Sequence, residues 1–150
     1  MSDVKVLATN RRAYHDYFIE DTIEAGLSLT GSEIKSVRLG QINLKESYAT
    51  IRNSEAWLIG SHIAINEPSS RENHNPVRER RLLLHKREIT RLAERVKQKG
   101  YTLVPTRVYL KKNRAKIELG LARGKRQYDK RDSIAERDAK REIERAVKIR

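Results

Sequence analysis

Apolar and polar residues alternate with a period of two along much of this chain, interrupted by two short stretches of helical period. Residues 1–12 read as a polar lead closing on the basic pair Arg11-Arg12. Tyr14 to Ile19 is rich in aromatic and β-branched residues and predicts a strand, running on to Leu29 through a bend near Gly26. Thr30-Gly31-Ser32-Glu33 has capping-box spacing: the Thr30 hydroxyl can accept from the Glu33 amide while the Glu33 carboxylate reaches back. A short helix follows with Ile34 and Val37 inward, ending at Gly40.

Tyr48–Arg52 and Trp57–Ile65 predict a hairpin around Asn53-Ser54-Glu55, the second arm presenting Trp57, Ile59, Ile63 and Ile65 on one face. Asn66 to Pro76 has no large apolar residue and two prolines, and reads as a surface loop. Leu82-Leu83-Leu84 leads into a helix in which Ile89, Leu92, Ala93 and Val96 recur at i, i+3, i+4, i+7, with Gly100 as its stop. Tyr101–Leu110 and Ala115–Leu121 form a second hairpin around Lys111-Lys112-Asn113-Arg114. In its second arm Ala115, Ile117, Leu119 and Leu121 face in, while Lys116 and Glu118 face out. Short strands with a few helices and no βαβ rhythm predict a mainly β fold, a small closed antiparallel barrel, with a sandwich left open by pattern alone.

The pattern fades in residues 125–150, where sixteen of twenty-six side chains are charged. Such a segment buries too little apolar surface to offset its ordering entropy, so the chain divides into a body, residues 1–124, and a basic tail, residues 125–150. Ala135, Ala139, Ile143, Ala146 and Val147 would line one face of a helix, and Arg137, Arg141 and Arg145 another. Stacked arginines repel one another until phosphates sit beside them, which predicts a tail disordered when free and helical when bound.

Charge then names the partner class. Residues 1–75 hold 8 Lys and Arg against 10 Asp and Glu, whereas residues 76–150 hold 25 against 10. Segregation of this kind suits a polyanion, and RNA before an anionic membrane, because the tail's apolar face is mostly alanine. There is no cysteine, no span of membrane length and no signal-peptide core, so the cytoplasm is the expected compartment.

Enzyme signatures are missing. His15, His62, His74 and His85 stand far apart with no metal-ligand spacing, and no phosphate-binding glycine loop or nucleophile elbow occurs. No catalytic residue, metal or cofactor is expected. Arg87, Arg91, Arg95 and Lys99 read as a solvated helix face, whereas Arg78, Arg80 and Arg81 beside the loop are better RNA candidates. Lys116 fits either a phosphate contact or a guard on a strand edge. Tyr128, alone in a run of charge, reads as a platform for a base.

Asn10-Arg11-Arg12-Ala13, Glu24-Ala25-Gly26, the segment Gly31 to Arg38, Arg80 to Leu84 and the run Gly124 to Arg131 occur together in this order. In that order and spacing the chain resembles the small protein B family, the transfer-messenger RNA (tmRNA, or SsrA RNA) binding proteins of bacterial trans-translation. The resemblance implies an oligonucleotide-binding barrel with two or three helices that grips the tRNA-like domain of tmRNA. It implies a tail directed at the decoding centre of the 30S subunit, against 16S ribosomal RNA, with elongation factor Tu joined indirectly through the alanylated RNA. The family's RNA-binding positions fall on Asn10, Glu24, Leu83 and Lys116, with the motif cations Arg11, Arg12, Lys35, Arg38 and Arg80 beside them. Spacing alone does not say which of Leu82, Leu83 and Leu84 faces out; the resemblance selects Leu83. The ribosome-directed group falls on Gly124, Lys125, Arg126, Tyr128, Asp129, Lys130 and Arg131, with Arg137, Arg141 and Arg145 further along. Many relatives carry histidine where this chain has Tyr128, so stacking carries over and a protonated imidazole does not. A ribosomal protein or a general RNA chaperone is the rival class, and a ribonuclease a third.

Overall fold

The computed structural model describes residues 4–65 and 74–124. The ribosome-directed positions beyond Gly124, and the expected order of the tail, lie outside the described residues, as does most of the loop from residue 66.

Nine strands and three helices follow one another among the described residues: β1 (Val4–Thr9), α1 (Arg11–Asp16), β2 (Tyr17–Leu27), α2 (Gly31–Arg38), β3 (Ile42–Asn43), β4 (Tyr48–Arg52), β5 (Glu55–Ile59), β6 (His62–Ile63), β7 (Arg80–Leu83), α3 (Lys86–Val96), β8 (Tyr101–Lys111) and β9 (Arg114–Gly124). The fold is mostly β. Antiparallel pairings run β8-β4-β5-β7-β2-β9 and return from β9 to β8, closing a ring, with β1 paired on the far side of β8. Leu58, Leu82, Leu103, Val108, Ile117 and Leu119 of the ring form one buried core with Ile63 of β6, Val37 of α2 and Leu92 of α3.

Both hairpins turn on two residues. Asn53-Ser54 and Lys112-Asn113 all have positive φ, the geometry whose twist matches that of the flanking strands. The inward set Ala115, Ile117, Leu119 and Leu121 is buried as the alternation predicts. The capping box also forms: Thr30 N–H donates to Glu33 Oε1 (2.9 Å), and the Thr30 hydroxyl accepts from the Glu33 amide. Gly40 at φ +75° closes α2, its N–H donating to Val37 O at 2.9 Å.

Several expectations are corrected. The polar lead is in fact β1, whose backbone pairs with β8 from Val4↔Lys111 to Thr9↔Arg107. Standing outside the ring, it is only half-buried and needs no strong apolar alternation. Tyr14 lies on α1 instead of a strand, because Ala13 packs against Val104 and Ala122 and Arg12 braces Asp16 one turn on at 3.0 Å. Trp57–Ile65 is two strands, broken where Gly60 takes φ +83°. The inward residues of β5 are Ala56 and Leu58 instead of Trp57 and Ile59. Leu82-Leu83-Leu84 does lead into a helix, its first two residues on β7, where Arg80 and Leu82 are inward and Arg81 and Leu83 outward.

That register removes Arg80 from the RNA-facing set. Its side chain is 0% exposed and grips Glu33 Oε2 through Nε at 3.0 Å and Nη2 at 2.8 Å. The remaining donors serve the carbonyls of Ser61, Asn75 and Pro76. Arg78 closes on the same carboxylate (Nη2 to Oε1, 2.6 Å; Nε to Oε2, 3.1 Å). Arg80 therefore pins the chain re-entering from the loop, its guanidinium wholly buried and closed to a phosphate.

Candidate nucleic-acid interface

The register of four strands assembles the site. Leu83 on β7 stands opposite Gly26 on β2, Gly26 opposite Lys116 on β9, and Lys116 opposite Tyr109 on β8. Glu24, two residues before Gly26, points to the same face of the strand. Three of the family-implied positions, Glu24, Leu83 and Lys116, thus meet around one shallow hollow of about 530 Å³.

Leu83 is the leucine that faces out, 52% exposed. A Cβ on Gly26 would fall 3.0 Å from Leu83 Cβ and 3.3 Å from its Cδ1. The missing side chain lets the leucine lean across β2 as an apolar knob.

Glu24 is held from behind. The phenol of Tyr109, itself only 4% exposed, donates a hydrogen bond to Glu24 Oε2, and Lys111 Nζ approaches the same oxygen at 3.4 Å. Among the described residues, no hydrogen bond is made to Oε1. The bond from Tyr109 holds the Glu24 carboxyl below the ordinary carboxylate range, partly opposed by burial and reinforced by the charges of Lys111 and Lys116. Burial, and then the bond to Glu24, push the Tyr109 phenol up. An ionised carboxylate with one oxygen free is thereby fixed beside an exposed apolar side chain and a lysine.

Directly across from Glu24 sits Glu118, a like-charge pair that would repel if left bare. Arg107 Nε donates to Glu118 Oε2 at 2.8 Å and Thr106 Oγ1 to Oε1 at 3.1 Å, which neutralises that carboxylate. Glu24 is left facing the hollow beside Lys116, with Glu55 and Glu88 elsewhere on its lining.

The other expected contacts fall elsewhere. Asn10 follows Thr9 in the row Thr9–Arg107–Glu118–Glu24, three inter-strand spacings or roughly 14 Å from Glu24. It is 8% exposed, with Nδ2 donating to Pro105 O at 2.9 Å and Leu44 O at 3.3 Å, and its own N–H donating to Thr106 O at 2.7 Å. These bonds tie down the bulge of β8 between Pro105 and Arg107. Arg11 and Arg12 are exposed on α1, Arg12 engaged with Asp16 and Glu46. Lys35 and Arg38 are exposed on α2, and Arg38 Nη2 reaches the Asn113 carbonyl in the β8–β9 turn at 3.5 Å. Gly124 ends β9 opposite Tyr17, bordering a separate hollow of about 600 Å³ near Asn10 and Tyr101.

Tyr109 is the participant that pattern reading missed. Its signal was present: arms that end at Leu110 and resume at Ala115, as the sequence predicts, already put residue 109 opposite residue 116.

Chemically, such an arrangement suits one class of ligand. A fixed carboxylate accepts from a base amino or imino group, as acids do from cytosine. An apolar knob packs on a splayed nucleotide, and a lysine answers phosphate. No helix among the described residues is long and apolar enough to cross a membrane.

Comparison with known proteins gives the same direction. A family model described as SmpB protein matches residues 7–149. An SsrA-binding protein of Desulfitobacterium hafniense is 59% identical over 142 residues, covering 95% of this chain and 91% of that one. Those of Roseiflexus castenholzii (60% over 147 residues; 97% and 93% covered) and Bacillus cereus (56% over 146; 97% and 94%) are similar throughout. A chain from a solved structure described as "tmRNA-SmpB: a journey to the center of the bacterial ribosome" superposes with a TM-score of 0.67 at 48% identity, covering 79% of this chain and 83% of that one.

Proposed function

This chain belongs to the SmpB family, and from that membership we infer that it is a tmRNA-binding protein of trans-translation. It binds the tRNA-like domain of tmRNA and brings that RNA to a stalled ribosome, where the nascent chain is tagged for degradation. The observation that carries the reading at the level of side chains is the convergence of Glu24, Leu83 and Lys116, from three strands, on one outward face.

The closed ring is read as an oligonucleotide-binding barrel, with residues 1–124 as the RNA-gripping body. The tail from Lys125 is read as the part that enters the decoding centre of the 30S subunit against 16S ribosomal RNA. Elongation factor Tu joins through the alanylated RNA. Arg11, Arg12, Lys35 and Arg38 are assigned to phosphate contacts, and Asn10 to holding the β1–β8 junction as well as any contact of its own. The protein acts by binding, without a catalytic step, in the cytoplasm.

Glu24 works as an oriented acceptor in this reading, so the group that orients it matters. Tyr109→Phe keeps the ring and removes one hydrogen bond to a charge, worth about 1.5–3 kcal/mol at a buried site and less where water can replace it. About a tenfold loss of tmRNA affinity is expected in a filter-binding titration, with the thermal midpoint little changed. Glu24→Gln should lose at least as much. For the function as a whole, the test is capture from a bacterial lysate followed by sequencing of the bound RNA. tmRNA should dominate with the natural chain and fall to background with Glu24→Ala.

A further inference from the structure

The β8–β9 turn carries a cationic surface that neither the core contacts nor the Glu24 site accounts for. Lys111, Lys112, Arg114 and Lys116 surround a third hollow of about 380 Å³ with Glu24 as the one acid on its lining. Lys111 is drawn to Glu24 at 3.4 Å. Among the described residues no carboxylate lies within salt-bridge reach of Lys112, Arg114, Lys116 or Arg38. Lys112, Asn113 and Arg114 are all exposed, on a tight two-residue turn with φ of +51° at Lys112 and +64° at Asn113. Arg38 comes in from α2 to the Asn113 carbonyl at 3.5 Å, adding a further cation from a different element.

Cations gathered at this density repel one another, and nothing in the core requires them here. Resting on the reading of the chain as an RNA binder, we propose that the β8–β9 turn is a phosphate seat. In it Lys112 and Arg114, with Arg38 behind them, carry the sugar-phosphate backbone of the RNA whose base lies at Glu24 and Leu83. The placement of charge sets the polarity of the contact. Glu24 repels phosphate and accepts from a base edge, whereas the turn beyond it presents the positive charges of Lys112 and Arg114. Base and backbone are thereby sorted to opposite sides of one carboxylate. Lys112 and Arg114 act without regard to sequence, and Glu24 reads it.

The test uses the full-length protein carrying Lys112→Asn and Arg114→Gln together. Asparagine tolerates the left-handed backbone at residue 112, and both positions are exposed, so the fold is retained. Affinity for the tmRNA transcript is measured from low to high salt, with an unrelated structured RNA of equal length alongside. The double variant should bind tmRNA about tenfold more weakly at low salt. The slope of log K against log salt should be shallower by about 0.7–0.9 for each phosphate contact removed. Glu24→Gln should weaken binding with the slope unchanged. If the double variant matches the natural chain in affinity and slope, the phosphate seat is refuted. Preference of the natural chain for tmRNA over the unrelated RNA bears separately on the function, and its loss would refute that reading whatever the slopes show.

Discussion

Arg80→Ala is expected to cost about 3–5 kcal/mol of folding stability, the usual consequence of removing one partner from a buried ion pair. Against a total of about 5–15 kcal/mol for a domain, that is enough to leave the protein partly unfolded at 37 °C. The reason is that Glu33 is itself fully buried and Arg80 holds three backbone carbonyls in addition to it. Arg81→Ala, one residue on but outward, should change stability by no more than about 0.5 kcal/mol. Urea denaturation of the two variants makes the comparison. Had Arg80 been an RNA contact, its loss would have weakened tmRNA binding and spared the fold. Acid reports on the same cluster. Burial pushes the Glu33 carboxyl up, but hydrogen bonds from Arg78, the Thr30 backbone and Arg80, with the Arg80 charge, outweigh it and bring it down from 4.5 to about 2. The folded protein therefore binds that proton less readily than the unfolded chain. The contribution is whole above pH 4.5 and is lost as pH falls toward 2. Denaturation midpoints measured across that window should fall, and should fall less in Glu33→Gln.

Removing residues 125–150 should leave tmRNA affinity within about threefold, a change of less than 1 kcal/mol, yet abolish tagging of the nascent chain in a reconstituted stalled-ribosome assay. The site built from Glu24, Leu83 and Lys116 lies wholly within the body, so the division of labour predicts a clean separation. Single changes sharpen it. Tyr128→Ala should impair transfer of the nascent chain while tmRNA binding persists, and Glu24→Ala should lose tmRNA binding first. Equal loss of RNA affinity in both would contradict the partition between body and tail.

What could be read in the sequence divides along physical lines. Local rules worked where the information is local. The capping box at Thr30 and Glu33 and the in-out alternation from Ala115 to Leu121 need only neighbours a few residues away. Residues whose role depends on a distant partner were hidden. Arg80 reads as surface because arginine usually is, and its burial rests on Glu33, 47 residues earlier. β1 was missed because an outer strand draws its stability from backbone pairing with β8, which leaves a faint side-chain pattern. Trp57 and Ile59 looked inward because large apolar residues do so on average, but Ala56 and Leu58 are the pair small enough and placed to fill the ring. The choice among Leu82, Leu83 and Leu84 waited on the register of β7 against Gly26, which no spacing rule supplies.

Competition binding tests the central claim most directly. Labelled tmRNA, held by the full-length protein near physiological salt, is challenged with unlabelled tmRNA and with an unrelated structured RNA of the same length. The account predicts that unlabelled tmRNA displaces the label at concentrations at least about a hundredfold lower than the unrelated RNA, a discrimination near 3 kcal/mol. Equal displacement by both RNAs would contradict it.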